Sequence, residues 1–153
     1  MPSLKSDQPL AQAREIAERF IALLPVECQI AGSIRREKPE VGDIDVVSVG
    51  VFPAEVSGAE FISGKDVMRT YLFEDTQVNV MVAQPDAVGA MLLYATGSGG
   101  FGAMLRVKAK RKGFKLNRYG LFNRETGALV AAESEQAIFT ALGKRYYPPT
   151  ERR

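Results

Sequence analysis

Residues 32–47 read GSIRREKPEVGDIDVV, a polar turn with an arginine pair that leads into two aspartates and a β-branched stretch. We predict a strand over residues 43–49, on which Asp43 and Asp45 point to the same face, about 6–7 Å apart. Two carboxylates that close repel each other unless a cation lies between them. Because the chain has no His to add to them, these oxygen ligands favour a hard ion such as Mg²⁺.

The turn before these aspartates carries residues suited to an anion. Gly32 lets backbone N–H groups approach the anion closely, and the hydroxyl of Ser33 adds a donor. Arg36 adds a bidentate phosphate contact. A phosphate beside a two-carboxylate metal site is the arrangement that phosphoryl or nucleotidyl transfer requires. The plainer alternative is a surface turn with an arginine pair and two exposed aspartates.

Composition excludes several classes of site. The chain has 153 residues, of which 46% are hydrophobic and 25% charged, as expected for one globular unit. A single cysteine and no histidine exclude an internal disulfide, a cysteine zinc site and a Ser-His-Asp triad. The polar start resembles no signal peptide, and no apolar run approaches the length of a membrane span. We therefore expect a soluble, cytoplasmic protein without a membrane partner.

The net charge of +2 conceals an asymmetry along the chain. Residues 1–98 carry 8 Lys/Arg and 14 Asp/Glu, whereas residues 99–153 carry 12 and 4. This difference predicts two lobes, of which the second faces phosphates. A basic helix over residues 103–112 supplies the candidate contacts, and the alternative is a solvated helix face. The candidates are Arg106, Lys108, Lys110, Arg111 and Lys112.

Periodicity predicts alternating helices and strands. The expected helices cover residues 9–24, 85–96 and 103–112, with a last one between Ser134 and Gly143, and the strands cover 27–31, 43–49, 67–73 and 77–82, followed by short extended pieces near 115–117, 120–122 and 128–130. The glycine cluster at residues 97–102 predicts a break and a flexible joint between the lobes. It also fits G-x-G-x-x-G, but it follows a helix, which disfavours a dinucleotide site.

Several segments resemble one known family. The stretch at residues 32–47 is similar to a signature of the X-family DNA polymerases, the relatives of DNA polymerase beta within the nucleotidyltransferase superfamily. Tyr94-Ala95-Thr96-Gly97-Ser98 resembles the family's Tyr-Phe-Thr-Gly-Ser turn, and RKGFKLNRYGLF at residues 111–122 resembles its thumb segment. The motifs ALG at 141–143 and YPPTER at 147–152 resemble the family's closing residues. The resemblance thus extends in order from about residue 9 to the end.

The resemblance implies an α/β (α+β) fold, with a nucleotidyltransferase palm built on a mixed sheet over residues 1–96 and a small α/β thumb over residues 97–153. This arrangement is similar to the minimal viral members. Both metal ions, Mg²⁺ or Mn²⁺, would bind to Asp43 and Asp45. The residues implied for the triphosphate are Gly32, Ser33, Arg36 and Gly42, those for the sugar and base are Tyr94 and Gly97, and Arg106 would reach the DNA near the nascent pair.

One position departs from the family's pattern. Its third metal-binding aspartate corresponds to Asn79, a polar residue between valines on the predicted strand over 77–82. An amide offers one neutral oxygen and cannot accept a proton from a primer 3′-hydroxyl. We predict that Asn79 impairs turnover. Three explanations stay open: an engineered change, a slow enzyme with two carboxylates, or a non-catalytic relative.

The sequence thus predicts a monomeric DNA polymerase that adds dNTPs to a primer 3′-hydroxyl by two-metal-ion catalysis, in DNA repair or replication. Its partners would be a dNTP and primer-template or gapped duplex DNA, which the basic helix would hold without sequence readout. The alternative from another class is a non-catalytic DNA-binding protein on the polymerase scaffold. A superfamily member that modifies RNA or another acceptor is a further alternative, against which the thumb resemblance argues.

Overall fold

The computed structural model describes residues 7–153, so the polar start at residues 1–6 lies outside the described part. The helices are α1 Leu10–Ile21, α2 Gly32–Arg35, α3 Val88–Thr96, α4 Gly99–Arg111 and α5 Glu135–Ala141. The strands are β1 Gln8–Pro9, β2 Cys28–Ile30, β3 Glu40–Val41, β4 Ile44–Val49, β5 Glu60–Gly64, β6 Met68–Phe73, β7 Thr76–Ala83, β8 Phe114–Asn117, β9 Gly120–Asn123 and β10 Leu129–Ala131. Short 3₁₀ turns cover Pro85–Ala87 and Pro149–Glu151. Within residues 7–153, no helix has the length and apolar character needed to cross a membrane.

The first lobe is built on a five-stranded mixed sheet in the order β2-β4-β7-β6-β5. Only β4 and β7 run parallel among these neighbours. Alternate residues of β4 face opposite sides: Val46 packs in the core that includes Phe20 of α1, and Val47 packs with Met91 of α3. Because side chains alternate along a strand, Asp45 lies on the α3 side of the sheet.

The second lobe packs α4 and α5 on the three-stranded antiparallel sheet β10-β9-β8. Its core includes Phe101 and Leu105 from α4 and Phe139 from α5. Leu93 of α3 belongs to this core, whereas Met91 of the same helix belongs to the core against the first sheet. Helix α3 therefore connects the two lobes and holds both. The predicted mixed α/β architecture is confirmed.

Three local predictions are wrong. Residues 97–102 do not form the predicted break, because α4 begins at Gly99. The hydroxyl of Ser98 accepts the N–H of Phe101 at 3.2 Å, and the Phe101 ring is buried in the core of the second lobe. Side-chain capping and core packing outweigh the low helix propensity of the glycines. The polar connection after β2 contains the one-turn helix α2, and the stretch before residue 67, where no strand was predicted, contains β5 as an edge strand.

A buried ion cluster joins the lobes. Glu135 of α5 accepts hydrogen bonds from Arg35 of α2 at 2.7 and 2.8 Å and from Arg152 at 2.7 and 3.3 Å. Arg35 also donates to the hydroxyl of Thr96 at the end of α3. The side chain of Arg152 is 0% exposed and that of Glu135 is 6% exposed. Since charges so buried are stable only when paired, this cluster fixes α2 against the second lobe.

Candidate metal and nucleotide site

The two aspartates lie at the start of β4, on the side of the sheet that faces α3. Asp45 is the second residue of β4 and lies beside Asn79 of the parallel strand β7. Asp43 comes one residue before the strand begins at Ile44, so the predicted strand start is one residue early. Both side chains are half-buried. The main-chain oxygen of Asp45 accepts the N–H of Ala31 at 2.8 Å, which holds the turn into α2 directly over the carboxylates.

The electrostatics of the pair favour a cation. Burial raises the pKa of Asp45; a hydrogen bond from Asn79 opposes the shift, and the charge of Asp43 adds to it. Burial also raises the pKa of Asp43, with a further contribution from the nearby carboxylate of Asp7. Each carboxylate is thus destabilised in its ionised form by burial and by a like charge, and a bound divalent cation would relieve both effects.

Asn79 occupies the predicted third position with a defined orientation. Its Nδ2 donates to Oδ1 of Asp45 at 3.1 Å. Its Oδ1 accepts from the hydroxyl of Thr70 at 3.1 Å and from Nε2 of Gln77 at 3.2 Å. In residues 7–153, no group of three or more His, Cys, Asp or Glu side chains is placed to hold a metal ion. The carboxylates that this arrangement offers to a hard cation are those of Asp43 and Asp45.

Gly32 brings the turn into direct contact with this pair. It has a φ of +59°, and a Cβ at this position would overlap the carboxylate of Asp45. Glycine is therefore required both by backbone conformation and by space. Ser33 follows in α2 and is partly buried. Gly42 precedes Asp43, and a Cβ there would lie 3.0 Å from Oδ1 of Asp7, so Gly42 also sits against a carboxylate.

Arg36 faces a cleft between the lobes. Its Nη1 donates to the main-chain oxygen of Thr96, and its Nε is buried without a hydrogen-bond partner among residues 7–153. The cleft has a volume of about 370 Å³, and its lining includes Arg36, Tyr94, Gly97 and Arg106. Three predicted nucleotide-binding residues and one predicted DNA-binding residue thus converge on one concave surface. The walls near the two arginines are suited to an anionic ligand.

The basic residues of α4 lie on two sides of the helix. Arg106 and Lys110 line a groove of about 400 Å³ together with Lys115 of β8 and Arg124 after β9. Residues four apart share a helix face, which explains why Arg106 and Lys110 lie together. Sequence reasoning missed Lys115 and Arg124, because only the folding of the β8–β9 hairpin against α4 brings them there. The sequence predicted the two strands of this hairpin as extended pieces, but it did not predict that they pack against α4.

Lys108 and Arg111 of α4, and Lys112 directly after it, do not line this groove. Lys112 donates from Nζ to the main-chain oxygen of Leu142 at 2.6 Å, so it connects α4 to the end of α5. The positive charge of Lys144 lowers the pKa of Lys108. Arg111 is exposed at the end of the helix. The five predicted DNA-binding residues therefore do not form one surface.

Comparisons with known proteins found relatives among the DNA polymerases. A family model described as DNA polymerase beta thumb matches residues 91–153. Repair DNA polymerase X of African swine fever virus (isolate Pig/Kenya/KEN-50/1950) is 25% identical over 157 aligned residues, covering 92% of this chain and 89% of the viral protein. The DNA polymerase/3'-5' exonuclease PolX of Bacillus subtilis (strain 168) is 26% identical over 150 residues, covering 90% of this chain. The chain spans only 26% of the length of this bacterial relative.

A solved structure with a similar fold was also found. A crystal structure of Leishmania infantum polymerase beta, a ternary P/T complex, superposes with a TM-score of 0.77 at 20% sequence identity, covering 99% of this chain and 78% of that one. At this identity the structural likeness concerns the fold alone, and the resemblance to the polymerases rests on the sequence relatives. The resemblance predicted from the motifs is confirmed: the chain is a relative of the X-family DNA polymerases, a family of nucleotidyltransferase enzymes.

Proposed function

We propose that this chain is a DNA polymerase that adds dNTPs to a primer 3′-hydroxyl, in DNA repair or replication. The observation that carries the proposal is the cleft of about 370 Å³, which brings Arg36, Tyr94, Gly97 and Arg106 to one surface. The turn at Gly32 contacts the carboxylate of Asp45. A phosphate-binding turn, a carboxylate pair and a cleft of nucleotide size are the components that nucleotidyl transfer needs.

The residues at the start of β4 fit divalent cations. Asp43 and Asp45 offer hard oxygen ligands, and their like charges are only partly compensated by the groups around them. We propose that they hold Mg²⁺ or Mn²⁺. When bound, such ions would promote ionisation of the 3′-hydroxyl and offset the charge of the phosphates.

The chain's own residues bind and orient the reactants in this proposal. Arg36, Ser33 and the main chain at Gly32 and Gly42 would hold the triphosphate, and Tyr94 and Gly97 would lie along the sugar and base. The primer 3′-oxygen forms a bond to the α-phosphorus while the bond to the pyrophosphate oxygen breaks in line. Because the Asn79 amide accepts no proton, the hydroxyl proton would pass to water, and we expect slower turnover than with aspartate at this position.

We propose that the groove of Arg106, Lys110, Lys115 and Arg124 contacts DNA phosphates. We also propose that the palm ends at residue 96 and the thumb begins at residue 97. The protein would act as a monomer, and we expect it in the cytoplasm. The Lys115→Glu variant should weaken binding to a gapped duplex. The slope of log K against the logarithm of the salt concentration should decrease in magnitude by about one to two. The matched control is Lys65→Glu, in the turn before β6 and outside the groove. Equal effects of the two variants would contradict a specific groove.

The activity is tested by extension of a labelled primer on gapped DNA, first with Mg²⁺ and then with Mn²⁺. The chain is compared with Asn79→Asp and with Asp43→Ala. Extension by the unchanged chain but not by Asp43→Ala supports a working polymerase with two carboxylates. A gain of orders of magnitude in Asn79→Asp supports impairment at this position, and an equal rate contradicts it.

The orientation of Asn79 favours a second candidate, a DNA-binding protein without turnover. The amide turns its nitrogen and not its oxygen toward Asp45, so the third position supplies no metal ligand in this conformation. This candidate predicts salt-sensitive DNA binding with no extension by the unchanged chain. Extension by the unchanged chain would exclude it, whereas extension by Asn79→Asp alone would mean that the amide silences a polymerase scaffold.

A further inference from the structure

The side chains around Asn79 form a hydrogen-bonded relay across three strands. Thr70 of β6 is the register partner of Asn79, and Gln77 lies two residues before Asn79 on the same face of β7. Both donate to Oδ1 of Asn79, and Nδ2 of Asn79 donates to Asp45. The carboxylate of Asp45 is thus connected through one amide to a hydroxyl and to a second amide.

This relay can operate in the opposite direction. A primary amide that turns by 180° exchanges its oxygen and nitrogen with almost no change in shape. The hydroxyl of Thr70 can accept as well as donate, and Gln77 can present Oε1 to Asn79 if its own amide turns. Oε1 of Gln77 is buried and has no hydrogen-bond partner among the described residues, so this turn breaks no bond of that oxygen.

Only the contact with Asp45 distinguishes the two orientations. In the orientation observed, Asn79 keeps three hydrogen bonds, one of them to the carboxylate. In the turned orientation it keeps the two to Thr70 and Gln77 but places its oxygen near the carboxylate, which is repulsive. A divalent cation at the carboxylates reverses this preference, because it repels the N–H group and attracts the amide oxygen.

We propose that Asn79 is a cation-dependent ligand, whose amide donates to Asp45 in the absence of a cation and turns its oxygen toward a divalent cation held by Asp43 and Asp45. Thr70 and Gln77 are positioning residues that satisfy the amide in both orientations. The proposal rests on the metal site of the proposed function. It assigns to the third position a role that an aspartate, with two equivalent oxygens, would not need.

The test is Mn²⁺ binding to the full chain, measured by electron paramagnetic resonance of the free ion, without substrate or turnover. Asn79→Ala should weaken Mn²⁺ binding about tenfold, as expected for the loss of one ligand contact. Thr70→Val should change the affinity by no more than about twofold, because the hydroxyl serves both orientations equally. Ser63→Ala removes an exposed hydroxyl from the register partner of Thr70 on β5 and is the matched control.

Two results would overturn the proposal. Unchanged or tighter Mn²⁺ binding in Asn79→Ala would mean that the amide is never a ligand. Tighter binding by more than about fivefold in Thr70→Val would mean that the hydroxyl serves only to hold the nitrogen toward Asp45. If binding in Asp43→Ala equals that of the unchanged chain, the metal site of the proposed function fails instead, which separates the two failures.

A second readout follows the amide of Asn79 in the unchanged chain. Side-chain ¹H–¹⁵N correlations of the unchanged chain report the Asn79 amide, assigned by its absence in Asn79→Asp. Addition of diamagnetic Mg²⁺ should shift this signal and that of Gln77, since both amides turn together. A shift of neither signal at a Mg²⁺ concentration that saturates the site would overturn the proposal.

Discussion

Replacement of Glu135 by Gln tests whether the buried ion cluster holds the lobes together. The carboxylate accepts four hydrogen bonds from Arg35 and Arg152, and an amide accepts with one oxygen only. Hydrogen bonds to charged groups contribute about 1.5–3 kcal/mol each, but they are not additive. Removal of one partner from a buried pair costs about 3–5 kcal/mol, because the remaining charge is left buried and unpaired. We therefore expect Glu135→Gln to lower the free energy of unfolding by about 3–5 kcal/mol.

The assay is urea unfolding followed by circular dichroism, with thermal unfolding as a second measurement. For a chain of this length, such a loss corresponds to a fall in Tm of about 10 °C. The matched control is Glu151→Gln, which removes an exposed partner of Arg145 at a similar distance of 2.8 Å. That variant should lose less than about 1 kcal/mol. A loss from Glu135→Gln no larger than the control's would refute the argument that burial makes this cluster stabilising.

The pH dependence has a defined sign. Burial alone would raise the pKa of Glu135, but hydrogen bonds and charge from Arg35 and Arg152 outweigh it and lower the pKa. A group whose pKa is lower in the folded state stabilises the fold above its unfolded pKa, about 4.3 for glutamate. This contribution is lost as the pH falls through the lower, folded value. The difference in the free energy of unfolding between the unchanged chain and Glu135→Gln should therefore decrease below about pH 4. A difference that stays constant would contradict the lowered pKa of Glu135.

Three further variants, each measured by thermal unfolding, test packing and charge at the candidate site and the packing of α3 against the start of α5. Gly32→Ala should destabilise by about 1–3 kcal/mol and weaken Mn²⁺ binding, because its Cβ would overlap Asp45 and its φ is +59°; unchanged Mn²⁺ binding would contradict the close contact. Gly89→Ala should also lower Tm, since its Cβ would overlap the main chain of Ser134, and a Tm equal to that of the unchanged chain would refute this. Asp43→Asn should raise Tm at pH 7, because burial and Asp7 raise the pKa of Asp43 and make its ionised form costly in the fold; a lower Tm would refute it.

Much of the first lobe follows from local pattern. The β-branched alternation around Asp45 and around Asn79 predicted both central strands, and the structure places the two residues side by side in parallel register. The edge strand β5 was not predicted, because residues 60–64 are mostly exposed and their pairing with β6 is a tertiary feature. A strand with little apolar surface has a weak sequence signal.

The start of α4 shows how tertiary packing changes a local preference. Three glycines in its first turns disfavour a helix by about 1 kcal/mol each, so the sequence predicted a helix only from residue 103. In the fold, the ring of Phe101 packs against Tyr147 at 5.4 Å between centroids and against Phe139 at 6.3 Å. These partners lie near the end of the chain, and nothing in the local sequence indicates that they meet α4.

At Asn79, sequence reasoning is limited in the same way at the level of single atoms. Sequence reasoning identified Asn79 and its strand, and from the residue type it inferred one neutral oxygen for a metal. The amide nitrogen faces Asp45 and the amide oxygen faces Gln77 and Thr70, a residue of the neighbouring strand, and only the folded sheet brings these groups together. Because Thr70 and Gln77 can each donate or accept, the proposed turn of the amide is controlled by the charge at Asp45. The turned amide would supply an oxygen to a cation, but it would still accept no proton from a primer 3′-hydroxyl, so aspartate at this position should still give the faster enzyme.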